Sequence, residues 1–222
     1  TIKDIVSLTH DAGHEVYLDP WGAGRIFGGE AFSAFVEENS PDAVQILNDG
    51  KPSHAACPNN PKWWDFMKTW IAAASDTGAD YAFWDEPHFY LPTWAGGVAG
   101  KWGCCCPICR KMYEEKYGER FPSEETARLK EFKSECLRDF LAKMVAWGAE
   151  AGMKNALCVL PHESPGEVRK SWLPYATIPN LSVFGTDPYW LCAKLPVESV
   201  GEYSAAVKAL CDEVGLEAQV WI

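Results

Sequence analysis

Ala79-Asp80-Tyr81-Ala82-Phe83-Trp84-Asp85-Glu86-Pro87-His88 runs from an apolar stretch straight into two carboxylates, a proline and a histidine. Residues 79–84 read as a β-strand. Pro87 cannot extend a ladder and turns the chain away from it. The strand therefore delivers Glu86 to the end of a sheet, beside Asp85, Trp84 and His88. A carboxyl group among rings loses solvation, which favours its neutral form and suits it to donating a proton. A lone acid at a strand end serves as often to cap a helix or pair with an arginine. The company of Asp85, His88 and the aromatics tilts this one toward chemistry.

Outward from this strand, apolar strands alternate with amphipathic helices. Helices are expected over 2–12, 31–38, 61–77, 107–117, 123–152 and 197–214. Asn60 and Pro61 supply the start of the third helix, and Gly78 its stop. Its apolar face holds Trp63, Phe66, Met67, Trp70 and Ile71 at helical spacing. Strands are expected over 15–21, 43–47, 79–84, 155–160, 181–185 and 217–222. This alternation predicts a parallel sheet in an α/β fold. No glycine-rich phosphate fingerprint follows any strand. Polar and aromatic residues recur instead where the strands end, which is the habit of a (β/α)8 TIM barrel with its site at the strand C-termini. Six strands are visible where eight are needed. The expectation is one incomplete barrel domain over 1–222, with a cysteine-rich insertion at about 89–110.

The other strand ends supply Asp19 and Trp21, Asn48 and Asp49, His162 and Glu163, and Asp187, Tyr189 and Trp190. Each taken singly suits a turn or a cap. Their shared position at one face makes them candidate substrate-binding residues, with Trp84 and His88. His10, His14 and His54 fall elsewhere in the pattern and read as structural.

The bulk numbers exclude some partners. With 20 Lys and Arg against 31 Asp and Glu, the net charge is −11. Such a surface repels phosphate backbones, so nucleic acid is not expected. Apolar runs fall far short of the roughly 20 residues that cross a bilayer, so no membrane partner is expected either. The sequence does not set the oligomeric state, and a homo-oligomer stays open. The 11 Trp, 10 Phe and 8 Tyr fill a core, and those at strand ends also suit stacking on sugar rings.

Nine cysteines, an odd number, are unevenly spaced. Four fall within Cys104-Cys105-Cys106-Pro107-Ile108-Cys109. This crowding fits a metal cluster in a reducing, cytoplasmic setting better than a disulfide scaffold. Cys104, Cys106 and Cys109 form Cys-x-Cys-x-x-Cys, a spacing that can wrap one tetrahedral zinc. Cys57, in Ala56-Cys57-Pro58-Asn59-Asn60-Pro61, is the candidate fourth ligand. Cys105 is expected to point away. Cys136, Cys158, Cys192 and Cys211 read as core residues.

These elements in this order resemble family 42 glycoside hydrolases. Cys57-Pro58-Asn59-Asn60-Pro61 comes first, then a helix, a strand ending in an acid, and Cys104-x-Cys106-x-x-Cys109. The well-matched part covers about 57–117. The resemblance implies a (β/α)8 barrel, a retaining two-carboxylate mechanism on a β-linked glycoside or oligosaccharide, and a structural four-cysteine zinc. It makes Glu86 the acid/base, with Asp85 where the family usually has Asn. Under this correspondence Trp21, Trp94 and Trp190 follow strands two, four and six and line a saccharide cleft. The family nucleophile would follow strand seven, beyond Ile222, so these 222 residues alone are expected to be inactive. Two rival readings remain. Asp85-Glu86-Pro87 also resembles strand ends of cobalamin-independent methionine synthases, zinc-dependent methyltransferases whose metal keeps an open position. A carbohydrate-binding barrel without catalysis is the other.

Overall fold

A computed structural model describes residues 1–29, 31, 33–93 and 96–222. Trp94 lies outside the described residues. The chain divides into two compact units. One comprises Thr1–Asp19, Trp70–Glu86 and Ala142–Ile222; the other comprises Pro20–Thr69 and Pro87–Leu141.

The first unit is an α/β assembly around a parallel sheet of five strands. These are β1 (Tyr17–Leu18), β4 (Tyr81–Asp85), β5 (Lys154–Val159), β6 (Val183–Thr186) and β7 (Glu217–Val220), ordered β1-β4-β5-β6-β7. Helices α1 (Ile2–Asp11), α6 (Val168–Ala176) and α7 (Glu198–Val214) belong to it. So do the later turns of α3 (Pro61–Asp76) and α5 (Ala127–Glu150). Helix α6, which carries Pro174 in its last turn, is not anticipated from the apolar pattern.

The sheet is strongly curled. Laid flat at about 4.8 Å per strand, its two edges would stand about 19 Å apart. Yet the Gln219 amide on β7 donates to the Tyr17 hydroxyl on β1 at 3.0 Å. On this concave face Tyr17 stacks on Tyr81 at 4.1 Å, and Trp221 lies 5.0 Å from Phe83. Tyr81, Phe83, Ala156, Cys158 and Val183 form the buried layer there. Among the described residues β1 and β7 remain edges, so a closed barrel is not formed.

The opposite face packs on helices. Trp84 is fully buried, with its ring 5.8 Å from Trp70. Its indole N–H donates to Asn155 Oδ1 at 3.0 Å, and Asn155 Nδ2 donates to the Val145 carbonyl at 3.1 Å. Gly148 leaves room for this, since a Cβ there would sit 2.5 Å from Asn155 Oδ1. Asn155→Leu strands the buried Trp84 N–H, so chemical denaturation should register a loss of about 1–3 kcal/mol. Unchanged stability would show that the amide is not the anchor between strand and helix.

The second unit corrects the expected strand at 43–47. Residues Val44–Ile46 (β2) do not join the parallel sheet. They pair antiparallel with β3 (Pro52–Ala56), which the sequence pattern does not reveal. The cause is local. In Asn48-Asp49-Gly50, Gly50 takes φ 82°, its N–H donates to the Leu47 carbonyl, and the Asp49 carboxylate accepts from Lys51 N–H. What reads as a polar strand end is a hairpin turn. The parallel sheet thus has five strands rather than six. This unit also holds α2 (Ala34–Asn39), α4 (Pro107–Tyr117) and the first turns of α3 and α5. Asn60 Oδ1 accepts from Lys62 N–H at 3.0 Å, as an N-cap should. Trp63 is the buried centre. Phe35 lies 5.0 Å from it, and a Cβ on Gly24 would come within 2.5 Å of its ring.

Candidate functional site

Strand alternation assembles the carboxylates of the first unit. Tyr81, Phe83 and Asp85 share one face of β4. Asp85 is in register with Cys158, and Cys158 with Gly185, two residues before Asp187. Tyr17 and Asp19 continue the same parity at the β1 edge. One ligand atom from each of Asp85, Cys158 and Asp187 falls within 4.8 Å of the others. The Cys158 thiol donates to Asp187 Oδ1, and the Tyr189 hydroxyl donates to Asp187 Oδ2 at 2.9 Å.

Glu86 closes the group from an unusual backbone. Its φ is +41°, a region that residues with a Cβ rarely occupy, especially before proline. Its N–H donates to the Cys158 carbonyl at 3.0 Å, which fixes it to β5. The residue is only 9% exposed, and its Oε1 is buried with no hydrogen-bond partner. Backbone strain of this kind tends to persist where the site needs it.

The electrostatics follow from this crowding. Burial raises Glu86 to about 8, helped by the charges of Asp187 and Asp85 and by a hydrogen bond with Asp187. Burial, then Asp187, raises Asp85 to about 6. Burial, then Asp85, raises Asp19 to about 7. No cation figures among these influences. The cluster therefore holds protons near neutral pH, as adjacent buried carboxyls must. Tyr189 is pushed above its ordinary range by the same burial and charges.

The structure thus brings Asp19, Asp85, Glu86, Asp187 and Tyr189 to one concave face. Trp84 points to the opposite, helix-covered face. His162 is exposed. Trp190 lines a cavity of about 180 Å3 beside Tyr189 and Leu191. Trp21, Asn48 and His88 belong to the second unit. There Asn48 is an exposed hairpin-turn residue, Trp21 is 56% exposed, and His88 Nδ1 meets the Phe89 carbonyl at 2.8 Å. Cys158 is a site residue that the sequence reading assigns to the core. Counting strand parity back from Asp187 through the ladder would have found it. Cys136 and Cys211 are buried as expected, whereas Cys192 is exposed in the loop after β6, a correction to its placement in the core.

The second unit gathers Cys57, Cys104, Cys106 and Cys109, all buried, and all nine cysteines are free thiols. Cys57 Sγ lies 3.6 Å from Cys109, 3.7 Å from Cys106 and 3.7 Å from Cys104. A disulfide needs about 2.05 Å. Four sulfurs around a metal at about 2.3 Å stand about 3.8 Å apart along each edge of the tetrahedron. The three edges from Cys57 have that length, all four sulfurs lie within 4.8 Å of one another, and the cluster could hold a metal ion. Cys106 caps α4, where Cys109 N–H donates to its sulfur at 3.5 Å. Asn59 Nδ2 donates to Cys109 Sγ at 3.3 Å. Hydrogen bonds from Cys104, Cys109 and Cys57 push the Cys106 thiol far down, while those around Cys57 and Cys109 push theirs up. Cys105 is buried but outside the cluster, and its carbonyl accepts from Arg110.

No protein-family profile matches this chain, and no curated protein does. Among the solved structures that share a slight likeness are two of one enzyme. Both are the family 20 exo-β-N-acetylglucosaminidase of Vibrio harveyi, one as an inactive variant and one in complex with N-acetylglucosamine. The first is 14% identical with a TM-score of 0.42, the second 13% with 0.41. Each alignment covers 85% of this chain and 28% of the other, so the chain spans under a third of their length. At such values the likeness fixes neither fold nor activity. No helix among the described residues is long and apolar enough to cross a membrane.

Proposed function

We propose that the concave carboxylate face is a glycosidase-type acid site acting on a β-linked glycoside, with Glu86 as the proton donor. One observation carries this reading. A carboxyl whose pKa is raised to about 8 presents a buried oxygen without a hydrogen-bond partner among the described residues. That oxygen suits a leaving group that departs only when protonated. A structural carboxylate would instead be neutralised by an arginine or lysine.

Asp187 supports Glu86 rather than attacking the sugar. Retaining enzymes separate their two carboxyls by about 5–5.5 Å. Beyond burial, Asp187 raises Glu86 by its charge, which makes the two a coupled acid pair. Asp85 and Asp19 share the face, and the rings of Tyr189 and Trp190 suit an apolar sugar face. The retaining mechanism and the family 42 kinship belong to the same proposal. The test, in a protein that also supplies the second carboxylate of the retaining pair, is release of nitrophenol from a panel of nitrophenyl β-glycosides, compared with Glu86→Gln. Absence of turnover on every sugar, with sugar binding intact, would leave the carbohydrate-binding reading.

The four-cysteine cluster is proposed to hold zinc in a structural role. Four protein thiolates fill a tetrahedron and leave no position for substrate. This disfavours the methionine-synthase type of chemistry, in which a thiol substrate must reach the metal.

A further inference from the structure

Away from the carboxylates and the thiol cluster, the turn after Gly22 carries an unexplained cation. Gly22, Gly24 and Arg25 have φ of 68°, 61° and 53°. Left-handed backbone is free for glycine and disfavoured for arginine. The turn is nevertheless held. Arg25 N–H donates to the Gly22 carbonyl at 3.1 Å, Gly24 N–H donates to Ser33 Oγ at 3.0 Å, and Gly24 abuts the Trp63 ring.

This backbone aims the guanidinium into a narrow cavity that it lines with Phe27, His54, His88 and Tyr90. No carboxylate lines that cavity among the described residues. Arg25 Nη1 is buried there without a hydrogen-bond partner. The charge is close enough to help burial press His54 toward its neutral form. His54 and Tyr90 also line an adjoining cavity of about 510 Å3. Its own charges nearly balance: Lys101 meets Asp49 at 3.0 Å, and Lys51 and Glu37 are the others. Among the described residues, Arg25 is the charge left unmatched here.

We propose that Arg25, with His54 and Tyr90, binds the oxyanion group of a small ligand, a carboxylate or a phosphate, whose body occupies the larger cavity. A guanidinium N–H removed from water requires an acceptor. The narrow cavity admits one oxygen of a carboxylate or phosphate to a charge-assisted bond with the guanidinium. The larger cavity is within the size range of small-molecule pockets. The narrow one, at about 10 Å3, has room for one water, which is the competing acceptor. The proposal does not depend on the chemistry assigned to Glu86.

The test titrates the full chain with inorganic phosphate and with acetate, against chloride at equal ionic strength, and follows thermal melting. The expected result is a saturable rise in melting temperature with phosphate or acetate and none with chloride. Whichever anion saturates identifies the ligand group. Arg25→Gln should weaken that response at least tenfold. Should this variant fail to fold, the Arg25 Nε resonance of the 15N-labelled wild-type protein should still shift along the same saturation curve. No saturable response to either anion, a motionless resonance, or an equal response in Arg25→Gln would overturn the proposal and leave water as the acceptor.

Discussion

Glu86→Gln is expected to lower turnover of poor-leaving-group β-glycosides by about 10²–10⁴-fold, the usual contribution of a placed general acid. Glutamine keeps the shape and loses the transferable proton. Substrates whose leaving group needs no protonation, such as dinitrophenyl glycosides, should recover much of the rate in the variant. The wild-type profile should hold its acid-dependent rate below pH 8 and decline above it, because Glu86 must be protonated and its pKa is raised to about 8. Asp187→Asn removes the larger of the two charges that raise Glu86, so that decline should move to lower pH. Equal loss on good and poor leaving groups would remove Glu86 from the role of acid.

The same substitution carries an opposite expectation for stability. A carboxyl whose pKa is raised on folding binds its proton more tightly in the folded state than in the unfolded one. Its contribution is fully present below the unfolded value and is lost as pH rises toward about 8. At pH 9 the folded protein must hold a buried anion beside Asp85 and Asp187. Glu86→Gln removes that burden, on the order of 2 kcal/mol after allowance for solvent screening. The variant should melt above wild type at pH 9, and the difference should shrink toward pH 5. A loss of activity with a gain of stability marks a site shaped for chemistry. A variant less stable than wild type at pH 9 would make Glu86 a structural residue.

Those two expectations rest on geometry that was only partly legible in the chain. The strand ending at Asp85-Glu86-Pro87 is visible because apolar residues stop abruptly at charge and proline. The helix after Asn60-Pro61 is visible because cap and face agree. The thiol cluster is legible because Cys-x-Cys-x-x-Cys has few structural uses. Position 43–47 misleads because a polar triplet after a short apolar run suits both a strand end and a hairpin turn. The difference is the left-handed Gly50, which pairs β2 with β3. Cys158 escapes because a buried thiol on a strand looks like packing until the register sets it beside Asp85. Arg25 escapes because its interest lies in a buried Nη1 without a partner among the described residues, which spacing cannot express.

Purified protein is expected to carry one zinc per chain by elemental analysis, and Cys109→Ser to lose most of it. The spacings from Cys57 to the other three sulfurs, 3.6–3.7 Å, already match the edges of a tetrahedral thiolate shell, so binding requires loss of protons more than large movement of the chain. Cys106 is the thiol most readily ionised, since hydrogen bonds from Cys104, Cys109 and Cys57, and then the Cys109 N–H, stabilise its thiolate. A cation at the centre would then favour ionisation of the other three, and the Asn59 and Cys109 N–H donors would share the accumulated negative charge. Structural zinc sites supply about 10–16 kcal/mol in small peptides. If even about 5 kcal/mol of that survives here, metal removal should lower the melting temperature by roughly 10–20 °C. Cobalt substitution would count the thiolates by its charge-transfer absorption, with four in wild type and three in the variant. A coloured ferric centre in the purified protein would make the metal iron and leave the four-sulfur site standing. Melting that is the same with and without Cys109, in protein free of metal, would reduce the cluster to four buried thiols.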